Sequence, residues 1–168
     1  MKDATFTLEF TTHVLANSIG PDGERDRFQR DVENRVIWQQ GWWHSAFSRS
    51  IEMAHLRGIK ASDINMNLAT TVETELYKRH YGPPKEDNFR IHEAILPGTQ
   101  VTFEAVVADR ITGSVLKRIL ERMGAYVGIS PYGYRLGFGK FSVVDVKVAP
   151  SESGELDPAN LSDENTSD

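Results

Sequence analysis

The residues best suited to chemistry lie in one segment, Gly124–Phe141, which reads GAYVGISPYGYRLGFGKF. Glycines at 124, 128, 133, 137 and 139 are interleaved with Tyr126, Tyr132, Tyr134, Arg135 and Lys140. Glycine lets a backbone approach a ligand closely and turn through positive φ. Exposed amides in such a loop form a concavity for phosphate. Tyrosine rings offer faces on which bases stack, and arginine and lysine supply charge. The expected role is a grip on a nucleic-acid backbone by Gly133, Gly137 and Gly139, with Tyr132 and Tyr134 stacking and Arg135 and Lys140 neutralising phosphate. The competing reading is a long turn whose glycines serve geometry and whose tyrosines pack on the core. The segment is not a P-loop, because GxxxxGK[ST] is absent. It is not a dinucleotide fingerprint either, because it enters a strand rather than opening a helix.

Other candidates are spread along the chain. Asn17–Arg35 carries Arg25, Arg27, Arg30 and Arg35 among Glu24, Asp26, Asp31 and Glu33. It reads either as a basic finger in which Arg27 and Arg30 touch phosphate, or as a solvated loop whose charges pair with one another. Tyr77–Lys85, YKRHYGPPK, interleaves Lys78 and Arg79 with aromatics, the composition of a flap that tracks a backbone. The five histidines show neither HExxH nor HxH spacing, so no metal or other cofactor is expected. His44 and Asp31 are weak catalytic candidates, His44 as a general base and Asp31 as a lone carboxylate. The serines lack a GxSxG elbow. Trp42 and Trp43, being adjacent, point to different helix faces, one toward the core and the other free to anchor a base or a neighbouring subunit.

The elements that must position these residues follow from periodicity. Thr5–Leu15 alternates, with Phe6, Leu8, Phe10 and Val14 on one face, which predicts a half-buried strand. Gly41–Arg57 repeats apolar residues at helical spacing, with Gly58 as its stop. Ile64–Thr70 and Val101–Val107 alternate again. Thr112 caps a helix with the stripe Val115, Leu116, Ile119, Leu120 and Met123, ended by Gly124. Val144, Val146 and Val148 share a face in a last strand. The order βαββαβ predicts an α+β, ferredoxin-like (RRM-like) fold: a four-stranded antiparallel sheet with two helices on one face and a glycine-rich loop before the last strand. One such domain is expected over 1–150, with insertions at 16–40 and 73–98. Residues 151–168 are expected to be a disordered acidic tail.

Composition sets the outer bounds. The chain has 168 residues, 39% hydrophobic and 26% charged, typical of a globular protein. It has no cysteine, and no stretch long and apolar enough for a membrane span, so a cytoplasmic setting without membrane partners is expected. The net charge of −5 taken alone argues against a nucleic-acid ligand, but six of the 24 acids lie from Ser151 onward, where there is no base. The remaining body therefore has 18 acids against 19 bases, close to neutral. The tail reads as a solubilising segment, as a competitor with nucleic acid for a basic face, or as a partner-binding peptide.

GYRLGFGKF resembles the glycine-rich loop between the second helix and fourth strand of the repeat-associated mysterious protein (RAMP) superfamily, whose members include RNA-binding subunits of CRISPR effector complexes and crRNA-processing nucleases. FQRDVENRVIWQQGWWHSAFSRSI (Phe28–Ile51) is similar to the segment of the backbone subunits in which an Arg-Asp pair precedes a short strand and the first helix. The resemblance covers most of 1–150 in layout, including an insertion between strands two and three where those subunits carry a thumb. Two departures stand out: Gln39-Gln40-Gly41-Trp42-Trp43 replaces the usual small-residue turn, and the chain is smaller than those subunits, as a stand-alone phage or mobile-element relative would be. The resemblance implies binding of single-stranded RNA or DNA, and a homo-oligomer or a subunit of a larger complex, since such relatives assemble head to tail. It also implies the weak cleavage roles for Asp31 and His44, which related subunits and nucleases place in these regions. A self-assembling scaffold without nucleic acid and a metal-independent ribonuclease are the alternatives.

Overall fold

The computed structural model describes residues 1–150, the side chains of Gly133 and Tyr134 excepted, so the expected tail lies outside the described residues. Strand β1 (Lys2–Phe10) alternates as its sequence demands, burying Phe6, Leu8 and Phe10. It stops at Phe10 rather than running to Leu15. The amides of Thr11 and Thr12 turn to the Lys140 carbonyl, and Val14–Leu15 becomes β2 in a different sheet.

In the 17–40 region, β3 (Gln29–Arg30) pairs with β4 (Val36–Ile37). Helix α1 (Gln40–Met53) follows and buries Trp43, Ala46, Phe47, Ser50 and Ile51. It ends short of the expected Gly58, because His55 takes a left-handed conformation at φ 54°. The strand expected over Ile64–Thr70 is split into β5 (Ile64–Met66) and β6 (Ala69–Thr70), the latter pairing with β4. Next come β7 (Glu75–His80) and β8 (Phe89–Ile95), a two-stranded ribbon joined to the body through β2.

Strand β9 (Gln100–Val107) pairs with both β1 and β5. The Thr112 hydroxyl accepts from the Val115 amide at 3.2 Å and caps α2 (Gly113–Arg122), as its residue type predicts. Gly124 does not end this helix. A π-helical turn, Met123–Val127, continues it to Gly128, because the chain at Gly124 lies against the Phe141 carbonyl so closely that a Cβ would sit 2.2 Å from it. After the short helical turn α3 (Gly133–Leu136), β10 (Phe141–Val148) closes the sheet, with a register shift opposite Thr7/Leu8.

The main sheet has the order β10-β1-β9-β5, antiparallel throughout, which is the ferredoxin-like arrangement. Helices α1 and α2 cover one face and enclose Phe6, Phe103, Trp38, Trp43, Phe47, Leu116 and Ile119. The other face carries Asp3, Thr5, Thr7, Glu9, Thr102, Glu104, Val106, Asp145 and Lys147. It has no aromatic residue and more acid than base. The RNA-recognition mode in which bases stack on sheet aromatics is therefore not built here.

Candidate nucleic-acid interface

The glycine-rich segment is a set of tight turns rather than an open loop, and its glycines serve different ends. Gly139 is buried at φ +72°. A Cβ there would lie 2.4 Å from the Ile129 carbonyl oxygen. Its amide donates to the His13 carbonyl at 2.7 Å, and its own carbonyl accepts from the Ile129 amide. Gly139 therefore serves packing, and its amide is not offered to a phosphate. Gly137, at φ +80°, has nothing near its Cβ position and serves the turn. Gly133 and Tyr134 open α3.

Among the described residues no acid pairs with the cations of this segment. Arg135 is exposed on α3. The Lys140 amide is held by Thr12 Oγ1 at 2.9 Å, while its ammonium donates to the Ala125 carbonyl at 3.3 Å. Gly124–Phe141 contains no acidic residue.

Tyr132 joins this segment to the ribbon. Its ring is half-buried, edge-on to His92 at 5.3 Å, with the Arg79 guanidinium 4.8 Å from its centroid. One face of Tyr132 is thus taken by Arg79, where a stacking base was expected. His92 is fully buried and uses both ring nitrogens: Nδ1 lies 2.7 Å from the Ala16 carbonyl, and Nε2 lies 3.2 Å from Arg79 Nε. Arg79 is always a donor, so Nε2 accepts and Nδ1 carries the proton. Burial holds the His92 pKa below the usual imidazole value, reinforced by the Arg79 and Arg90 charges and opposed by the Ala16 bond and Asp26. Elsewhere on the ribbon, Lys78 lies 3.9 Å over the Phe89 ring, and Phe89, Ile91 and Tyr81 are exposed.

The expected basic finger is instead a self-paired loop docked on the ribbon. Arg27 donates to Glu24 at 2.7 Å and to the Arg25 carbonyl at 2.8 Å. Arg30 is held by Glu93 and by the Asn34 carbonyl. Glu93 also accepts from the Phe28 amide at 2.8 Å and from Thr74 at 2.5 Å. Burial pushes the Glu93 pKa up, but these bonds outweigh it and hold the carboxyl below its usual value. Asp26, buried and left-handed at φ 59°, receives both arms of Arg90 at 2.8 and 3.0 Å. Arg27 and Arg30 are therefore neutralised by carboxylates on the loop and ribbon, which removes them as free phosphate contacts.

Asp31 is a turn residue. It accepts from the Arg35 amide and Nε, both at 2.8 Å, and from the Glu33 amide. The Arg35 amide bond is the largest cause holding its pKa low. His44 is exposed on α1 with no hydrogen-bond partner among the described residues. Neither residue touches a second group suited to catalysis. No cluster of acids and histidines among the described residues could hold a metal ion, and no helix there is long and apolar enough to cross a membrane.

The residues that sequence reasoning missed are on β8. Phe89, Arg90 and Ile91 are exposed while His92 to Ile95 are buried, a pattern without the period-two signal that marks a strand in a sequence. What remains accessible is a seam between ribbon and glycine-rich segment, bearing Arg79, Arg135 and Lys140, whereas Lys78 and Phe89 stand on the opposite face of the ribbon.

No family model matches the sequence, and no curated protein matches it. Among solved structures, the chain superposes on a chain from the cryo-EM structure of the Type III-B Cmr-beta bound to cognate target RNA, with a TM-score of 0.59 and 15% identity. The match covers 89% of this chain and 61% of that one, so this chain spans about three fifths of its neighbour's length. The two share a fold.

Proposed function

We propose that this protein is a RAMP-type RNA-binding module that holds single-stranded RNA, with little regard to sequence, along the seam between the β7–β8 ribbon and the glycine-rich segment. One observation carries the reading: Arg79 lies on Tyr132, and Tyr77, on the same ribbon face, meets Phe138, so this face adjoins the acid-free segment that presents Arg135 and Lys140. Cations beside the half-buried rings Tyr132 and Phe138 suit a phosphodiester chain with unstacked bases. The fold shared with a chain of an RNA-bound complex favours RNA over DNA and favours a subunit of a larger assembly. The acidic, aromatic-free outer sheet face directs the ligand away from the sheet.

Ultraviolet cross-linking of the full chain to a uridine-rich single strand, with mass-spectrometric mapping, tests this placement. Adducts are expected in 77–90 and 126–141. Adducts confined to 3–9 and 100–106 would reject it. The ribonuclease alternative has no geometric support, since Asp31 is consumed by Arg35 and His44 stands alone.

A further inference from the structure

Helix α2 and the π turn after it carry a stripe that the proposed RNA seam does not use. Arg118, Arg122 and Tyr126 recur one turn apart, all exposed, on the side opposite the buried Leu116, Ile119, Leu120 and Met123. Tyr126 is 53% exposed. Arg118 is steadied by the Ala54 carbonyl at 2.8 Å, and half-buried Lys117 stands beside it. Against these cations the same run has one acid, Glu121. Neither Arg118 nor Arg122 meets a carboxylate among the described residues.

An occupant of matching chemistry is attached to the same chain. Residues 151–168 contain six acids and no base. They leave the body from β10, the edge strand on which α2 packs. Val148 pairs with Ala4, and Lys2 pairs with Val107, so β10 finishes at the end of the sheet where α2 begins. At the far end Gly124 meets Phe141, so the helix runs back along the strand. An extended segment of this length reaches about 60 Å, whereas the helical run of α2 and its π turn is only about 22 Å long. A short tether of this kind gives an effective concentration on the order of millimolar.

We propose that the acidic segment 151–168 docks in cis along the Arg118–Arg122–Tyr126 stripe of α2. This goes beyond the RNA reading and stands without it. The absence of cysteine allows a single nitroxide at Ser162→Cys in the full chain. With no nucleic acid present, the label should bleach the amide resonances of 117–127 selectively. The resonances should return in about 0.5 M salt, where the Debye length is roughly 4 Å, and in the Arg118→Glu/Arg122→Glu variant. Unchanged core resonances establish that this variant is folded, and Arg118→Gln/Arg122→Gln serves the same purpose if it is not. Bleaching that is absent, uniform over the surface, centred on the glycine-rich segment, or unaffected by charge reversal overturns the proposal. A failure to bind RNA in any assay leaves it standing.

Discussion

Arg79 donates through Nε to Nε2 of His92 at 3.2 Å, and the same guanidinium lies 4.8 Å from the Tyr132 ring centroid. A fully buried neutral imidazole thus fixes the arginine that joins the ribbon to the glycine-rich segment. Since His92 Nδ1 is occupied by the Ala16 carbonyl, the ring cannot turn without losing both bonds.

This clasp makes stability depend on pH in a defined window. The folded His92 pKa lies below the ordinary 6.5, so the unfolded chain takes up the proton first. The stabilisation is complete above 6.5 and is lost as pH falls from there through the lowered folded value. His13, also lowered by burial, adds in the same direction. Glu93 and Asp31, whose pKa values are depressed, add further losses below their ordinary values of 4.5 and 3.8. Melting temperature measured against pH should fall in two stages. His92→Gln should flatten the upper stage; an unchanged profile would show that His92 does not titrate on unfolding.

Glu93→Ala should be among the most destabilising single changes in the ribbon. It leaves the half-buried Arg30 without its carboxylate and the Phe28 amide unpaired, and takes the acceptor from the Thr74 hydroxyl, which keeps only its contact with Arg30 among the described residues. Removing one partner of such a pair costs about 3 kcal/mol, readable in urea unfolding. A loss below about 1 kcal/mol would place the network with ordinary surface pairs.

Two glycines of the same segment should respond differently to alanine. Gly137 has a left-handed φ and open space around it, so Gly137→Ala should cost about 1 kcal/mol. At Gly139 the added Cβ also meets the Ile129 carbonyl at 2.4 Å, and the loss should exceed about 3 kcal/mol. Equal losses would mean that the close approach relaxes freely.

Much of the fold was legible in the sequence, because a period of two or 3.6 is a local signal. Phe6-Leu8-Phe10, Val101-Phe103-Ala105 and the Leu116-Ile119-Leu120 stripe each point to the core on their own. The candidate site was legible only in part. The free cations Arg135 and Lys140 sit in a segment whose composition announces them. Arg27 and Arg30 looked equally free, yet Arg30 finds Glu93 at a separation of 63 residues, and the loop is anchored by the Asp26–Arg90 pair 64 residues apart. Such pairings leave no local trace. The early end of β1 had the same kind of cause, since Thr11 and Thr12 bond to Lys140, far along the chain.

The phosphate role of the seam should appear as salt dependence. Each cation that neutralises a phosphate on a single strand contributes about −0.7 to the slope of log affinity against log salt. Arg135→Gln and Lys140→Gln should each reduce the slope by roughly that amount. Arg27→Gln should leave it unchanged, because that guanidinium is spent on Glu24.

The most direct test is fluorescence anisotropy of a labelled single-stranded RNA titrated with the full chain at low salt, beside the double variant Arg135→Glu/Lys140→Glu with its fold verified by circular dichroism. Saturable, salt-sensitive binding by the natural sequence and its loss in the variant is the expected result. Absence of binding by the natural sequence, or equal binding by both, would contradict the seam as an RNA-holding surface.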